Sequence, residues 1–397
     1  MNMEALFTNN ARQVTPSEIG VLAALARKNN CISLARGVPS SDLFPSEKVA
    51  EAAKEALSTR GKEILQYGDF YGLIGLREKI QGIMEKKFSA SLDVSNILVT
   101  TGSTMGIDLC SRLFLNEGDT VLVEAPSYLD ALNTYRFYGA NVKDVPCDQE
   151  GMIISALKEV LDQDDKVKLI YIIPDYQNPT GRHWSVTRRQ EVLNLLSQYN
   201  VVVIEDNPYG EINYIGEFRP SLYSLCKTEQ VIFCGSFSKT FSPGIRLGWM
   251  ATNKIILERL EALKEQVDLH TSLPNQATLE AFMNLYSYEE HLADTCALYK
   301  KRLATMVAAL RKYLPEFAFE EPTGGFFLWL KLPEGIDCYE YFNACLEEKV
   351  TFVPGAAFYA GKDQFTHVRL NFTGPNEEEI VESIKRMKKG YEKVKKI

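Results

Sequence analysis

Five short apolar runs, separated by longer polar and helix-forming stretches, limit the fold more than any other feature of this chain. They are NILVT (Asn96–Thr100), TVLVE (Thr120–Glu124), VKLIYII (Val167–Ile173), VVVIE (Val201–Glu205) and VIFC (Val231–Cys234). Most are continuously apolar rather than alternating, which is the pattern of parallel strands covered on both faces. The spacers are long enough for crossover helices, which parallel neighbours require. From about Ser91 to Met250 the expectation is therefore an α/β domain with a mostly parallel sheet flanked by helices. Near Asn275 the pattern changes to a long helical stretch, QATLEAFMNLYSYEEHLADTCALYKKRLATMVAALRKYL, followed by the strand-like GGFFLWLKL and THVRLNF. These predict a smaller α+β domain. The expected division is an N-terminal arm with part of the small domain over 1–46, a large domain over 47–276 and a C-terminal small domain over 277–397.

In open α/β sheets ligands sit beyond the carboxyl ends of the strands, so the residues after each run carry the functional argument. NILVT leads into Gly102-Ser103-Thr104, TVLVE into Tyr128, VKLIYII into PDYQNPTG with Asn178, VVVIE into Asp206 and Tyr209, and VIFC into Ser236, Ser238, Lys239 and Arg246. Taken singly, each has an ordinary reading as a cap, a turn or a surface charge. Taken together, in order, at separate strand ends, they match the needs of one ligand, pyridoxal 5′-phosphate. Its phosphate needs amide donors at a helix start and a cation, which Gly102–Thr104 and Arg246 supply, with the Ser236 and Ser238 hydroxyls beside them. Its flat ring needs a stacking face, Tyr128. Its ring nitrogen draws electrons only when protonated, which calls for a buried acid, Asp206. Asn178 and Tyr209 are donors for the ring oxygen, and the aldehyde needs an amine, Lys239.

Rival motifs fail. Ser236-x-x-Lys239 fits the S-x-x-K of serine acyl-transferases, but no S-D-N or K-T-G accompanies it. GAAFYAGKD has the wrong spacing for a P-loop, and there is no G-x-G-x-x-G. The net charge of −8 carries no nucleic-acid footprint. The lysine-rich end is expected to be an amphipathic terminal helix, because Ile380, Ile384, Met387 and Tyr391 recur at helical spacing and acids precede bases. Eight scattered cysteines without C-x-x-C, and four histidines without H-E-x-x-H, indicate neither disulfides nor a metal site. The absence of a signal-like start and of a long apolar run makes the cytoplasm, with no membrane partner, the expected location.

The combination QNPTG, EDNPYGEI and GSFSKTFSPGIRLGW resembles the fold-type I PLP-dependent aminotransferases. Within them it is most similar to the group holding 2-aminoadipate and kynurenine aminotransferases and the catalytic half of MocR-type regulators. The match runs from ISLARGVPSSDLFP (Ile32–Pro45) to THVRLNF (Thr366–Phe372). The resemblance implies a sheet of the seven-stranded type and a ping-pong transfer of an amino group from an L-amino acid to a 2-oxo acid, 2-oxoglutarate being the expected acceptor. It carries over Lys239 as Schiff-base lysine, Asp206 as pyridinium partner, Asn178 and Tyr209 on the ring oxygen and Tyr128 on the ring face. It also places Ser103, Thr104, Ser236, Ser238 and Arg246 around the phosphate. It further implies that Arg369 grips the substrate α-carboxylate beside Asn178 and Gly37, and that Tyr67 reaches the phosphate of a second subunit in a homodimer. Two departures bear on specificity. Gly20, in TPSEIGVLAAL, stands where related enzymes carry an arginine for an acidic side chain, whereas Arg36 replaces a usual glycine just before Gly37. Arg36 is thus a candidate for a distal carboxylate. The alternatives are another PLP reaction on an amino acid, a β-lyase or decarboxylase, or a PLP-sensing regulator. The regulator is disfavoured because too few residues precede ISLARG for a winged helix.

Overall fold

A computed structural model describes residues 3–13 and 17–395. Its main sheet comprises β1 (Ile97–Thr100), β2 (Thr120–Ala125), β3 (Asn141–Asp148), β4 (Gly151–Met152), β5 (Val167–Ile172), β6 (Val202–Asn207), β7 (Val231–Ser236) and β8 (Gly248–Ala251). The order is β1-β8-β7-β6-β5-β2-β3-β4. Strands β3, β2, β5, β6 and β7 pair in parallel, β8 lies antiparallel between β1 and β7, and β4 hairpins back on β3. All five apolar runs are strands. Seven strands make the body of the sheet, and β4 adds a two-residue edge.

The helices that matter here are α1 (Glu18–Lys28), α2 (Ser46–Ile64), α3 (Ile74–Phe88), α4 (Ser103–Phe114), α5 (Leu129–Phe137), α6 (Ile154–Gln163), α7 (Val186–Leu196), α8 (Lys254–Asp268), α9 (Leu273–Leu285), α10 (Tyr288–Tyr313), α11 (Cys338–Glu347) and α12 (Glu377–Val394). Because side chains alternate across a strand, each run supplies both faces of the sheet. Val121, Val123, Leu169, Tyr171 and Ile204 pack under α4, α5 and α8. Leu122, Ile170, Ile172 and Val203 pack under α6 and α7. Double coverage is why the runs read as continuously apolar.

Three strands of the large sheet lack that signal. In β3, NVKDVPCD, exposure alternates along an edge, β4 is two residues long, and β8, GWMA, is only four. The helical stretch after Asn275 is two helices, broken at Tyr286 and Ser287. The Ser287 hydroxyl accepts from the Glu290 amide at 3.1 Å and starts α10. Helix α9 shares the core of α2, α3, β1 and Trp249. Helix α10 belongs instead to a second core with α1, α11 and α12. That core backs a four-stranded antiparallel sheet of β9 (Ala318–Phe319), β10 (Phe327–Lys331), β11 (Val353–Pro354) and β12 (His367–Asn371), ordered β9-β10-β12-β11. The terminal helix α12 forms as expected. Asn376 and Glu379 make a reciprocal capping box, and Ile380, Ile384, Met387 and Tyr391 are buried. No described helix is long and apolar enough to cross a membrane.

Candidate active site

The carboxyl ends of β1, β2, β5, β6 and β7 open on a cavity of about 480 Å³, closed from the other side by α1, the Arg36–Val38 segment and Phe327 and Arg369 of the small sheet. Arg36, Gly37, Ser103, Thr104, Tyr128, Asn178, Asp206, Tyr209, Ser236, Ser238, Lys239, Arg246 and Arg369 all line it. Tyr67 does not. It is 74 % exposed and lies edge-on to His270 at 5.9 Å.

Sheet register assembles the polar end. Strands β6 and β7 pair with Asp206 opposite Cys234 and Asn207 opposite Gly235, so the acid and the loop holding Lys239 emerge together. Asp206 and Ser236 are themselves strand residues, one and two positions beyond the ends that apolarity marks. The loop carrying Asn178 is tied to the same place: Asp175 accepts from Arg189 and, at 2.6 Å, from Asn207 Nδ2.

Lys239 Nζ donates to the Gly37 carbonyl at 2.9 Å. Burial, reinforced by the charges of Arg369 and Arg246, lowers its pKa from 10.5 to about 8. Asp206 is 2 % exposed, and burial raises it to about 6 against the Tyr171 hydrogen bond and the Lys239 charge. Its Oδ2 accepts from the Tyr171 hydroxyl at 2.6 Å, whereas Oδ1 is buried with no partner among the described residues. An orphaned carboxylate oxygen in a protein interior is costly. A proton-bearing nitrogen entering the cavity would satisfy it.

The opposite end is an anion cradle. Gly102 caps α4 with φ +80° and ψ 166°, a conformation open to glycine alone. Arg246 is held against it by donating to the Thr101 carbonyl at 3.1 Å and the Ser238 hydroxyl at 3.3 Å. A Cβ on Gly102 would lie 2.6 Å from Arg246 Nη2. Amide donors, hydroxyls and a guanidinium therefore converge at a helix N-terminus, as a phosphate requires. Between cradle and acid, the ring of Tyr128 is oriented by its hydroxyl, which donates to Asp130 at 2.7 Å.

Arg369 is fully buried. It donates to Asn178 Oδ1 at 2.8 Å and to the Ala35 carbonyl, its guanidinium lies 4.2 Å over Phe327, and Nε has no partner among the described residues. Burial lowers its pKa to about 10, so it stays charged at neutral pH. Arg36 lines the cavity at its exposed rim, and so does Arg27 on α1. Neither forms an ion pair among the described residues. The sequence reading missed Arg27, because only the docking of α1 shows that Ile19, Gly20, Ala23 and Arg27 form its cavity face. It also missed Tyr171 and Asp130, whose partners lie on other elements or close by in a turn.

The cavity thus holds a half-buried amine, an orphaned acid, an aromatic face, a phosphate cradle and a buried arginine, and pyridoxal phosphate fits this donor set. Comparison with known proteins agrees. An aromatic-amino-acid aminotransferase from Thermococcus litoralis is 36 % identical over 98 % of this chain and 94 % of its own. A 2-aminoadipate transaminase from Thermus thermophilus is 34 % identical, covering 96 % and 95 %. The crystal structure of Pyrococcus horikoshii kynurenine aminotransferase, in complex with PMP, superposes with a TM-score of 0.94 at 36 % identity over 99 % of this chain and 98 % of that one. The family profile described as aminotransferase class I and II matches residues 29–387, and the chain belongs to that family.

Proposed function

We propose specific roles for the cavity residues in amino-group transfer from an L-amino acid to a 2-oxo acid, the reaction of this PLP-dependent enzyme. When bound, pyridoxal 5′-phosphate supplies an aldehyde that takes up the amino group and a ring that draws electrons from the substrate Cα. Arg246, the amides of Gly102–Thr104 and the Ser236 and Ser238 hydroxyls hold its phosphate. Tyr128 covers the ring, Asn178 and Tyr209 donate to the ring oxygen, and Asp206 Oδ1 keeps a proton on the ring nitrogen. Lys239 carries the cofactor between turnovers, and its freed amine removes the Cα proton. Burial depresses the basicity of that amine and so favours the neutral form that a base must have. Arg369 binds the α-carboxylate through two parallel hydrogen bonds.

The observation that carries this assignment is the pairing, in one cavity, of the half-buried Lys239 amine with the partnerless Asp206 Oδ1. We further propose 2-oxoglutarate as acceptor and an acidic side-chain pocket at the rim, where Arg36 and, on the facing helix, Arg27 are placed to receive a distal carboxylate. A homodimer, in which Tyr67 contacts the second subunit's phosphate site, and a cytoplasmic setting belong to the same reading. So does the domain division, 1–46, 47–276 and 277–397, with its hinge better set at Ser287 because α9 shares the large-domain core.

The test is a single half-reaction. Loaded protein mixed with excess L-glutamate and no acceptor should release one equivalent of 2-oxoglutarate per site, without ammonia or carbon dioxide. Continuous release of ammonia or carbon dioxide would instead establish a lyase or decarboxylase.

A further inference from the structure

Two tyrosines lie side by side beneath the cavity. Tyr171 on β5 and Tyr135 on α5 are both fully buried, with ring centroids 5.9 Å apart. Their hydroxyls meet different fates. That of Tyr171 donates to Asp206 Oδ2 at 2.6 Å, and that of Tyr135 has no partner among the described residues. Parallel pairing of β5 with β6 sets Tyr171 opposite Ile204, so the phenol reaches two positions along the neighbouring strand to the acid. The hydrogen bond ties up one carboxylate oxygen and leaves the other for the cavity.

We propose that Tyr171 is a positioning residue that holds Asp206 ionised, with Oδ1 aimed at the ring nitrogen. The inference rests on Asp206 being the ring-nitrogen partner. A donor on Oδ2 stabilises the carboxylate and lowers its remaining basicity, so the shared proton stays on the ring nitrogen rather than moving to Oδ1. Without the phenol, burial favours the neutral acid, and a neutral acid no longer stabilises a charged ring. The other groups around Asp206 do not replace it. Ser103 from α4 is a neutral hydroxyl that also favours the carboxylate, but less than Tyr171 does; Tyr128, Tyr135 and Tyr209 are neutral phenols, and Cys234 on β7 is a neutral buried thiol. Lys239 is the cation among them, and in the loaded protein its amine is engaged.

The two tyrosines form a built-in comparison, since Tyr171→Phe and Tyr135→Phe each delete one buried oxygen. Equilibrium dialysis of cofactor-free protein with pyridoxal phosphate should give a dissociation constant raised about tenfold or more for Tyr171→Phe, the scale of a hydrogen bond to a charged group. Tyr135→Phe should stay within about twofold of wild type. In Tyr171→Phe, kcat for L-glutamate should fall while KM holds, and the visible band of the loaded protein should titrate at a different pH. In an Asp206→Asn background, Tyr171→Phe should add nothing. Equal behaviour of the two Phe variants, or an undiminished effect of Tyr171→Phe in the Asp206→Asn background, would overturn the proposal. Should Tyr171→Phe fail to fold, the double variant Tyr171→Phe/Asp206→Asn decides: folding restored supports the role, and failure of both shows that the phenol serves the core instead. A wild-type protein that binds no pyridoxal phosphate would refute the underlying reading, a separate outcome.

Discussion

Replacing Gly102 by alanine attacks the anion cradle through two separable effects. The first is backbone strain: φ +80° with ψ 166° lies in a region essentially restricted to glycine, and residues with a Cβ are penalised there by about 1–3 kcal/mol. The second is displacement. The new Cβ would lie 2.6 Å from Arg246 Nη2 and 3.3 Å from its Cζ. The guanidinium must therefore swing off the Thr101 carbonyl and out of line with the phosphate. Losing one charge-assisted hydrogen bond is worth about 1.5–3 kcal/mol, or roughly 10–100-fold in affinity. Gly118 separates the terms, because it has φ +86° with nothing within 4 Å of its Cβ position. Gly102→Ala and Gly118→Ala should both lower the urea midpoint of the cofactor-free protein. Only Gly102→Ala should raise the dissociation constant for pyridoxal phosphate, measured by dialysis. Unchanged cofactor affinity in Gly102→Ala, or an equal loss in Gly118→Ala, would refute the cradle.

Three further outcomes follow from the same geometry. Arg36→Ala should lower kcat/KM for L-glutamate and L-2-aminoadipate about tenfold or more while sparing L-leucine; steady-state kinetics reporting an equal effect on all three would discard the rim pocket. Mixed dimers of Tyr67→Ala with Lys239→Ala should regain activity that neither parent has, since one of their two sites is intact; absence of regain would place Tyr67 outside the partner's site. In cofactor-free protein the folded state releases the Lys239 proton near pH 8 and the unfolded chain near 10.5, so between these values the unfolded state binds more protons and stability contributed by this group rises with pH. Urea midpoints of wild type relative to Lys239→Met should accordingly climb from pH 8 to 10, and parallel profiles would contradict the buried, depressed lysine.

Most of the large sheet was legible because strands buried on both faces leave unbroken apolar runs. The edge strand Asn141–Asp148 was not, since three of its eight residues are exposed, one alone is buried, and it carries charges and a proline. The break at Tyr286–Ser287 was masked by continuous helical periodicity on either side. Site residues were legible where they directly follow a strand, as Lys239, Asn178 and Tyr128 do. Tyr171 hides inside VKLIYII, where a phenol reads as core until sheet register brings it to Asp206. Arg27 depends on which face of α1 docks, and Tyr67 is exposed beside His270, away from the cavity, so neither role can be deduced from local pattern.

The central claim is that the Lys239 amine bonds to the cofactor and handles the proton. Its most direct measurement is the visible spectrum and the turnover of Lys239→Ala beside wild type, each incubated with pyridoxal phosphate and passed over a desalting column. Wild type should be coloured and active, and the variant should lack the lysine-linked band and show kcat reduced by several orders of magnitude. A variant that keeps the wild-type band, or turns over at a near-normal rate, would contradict the claim.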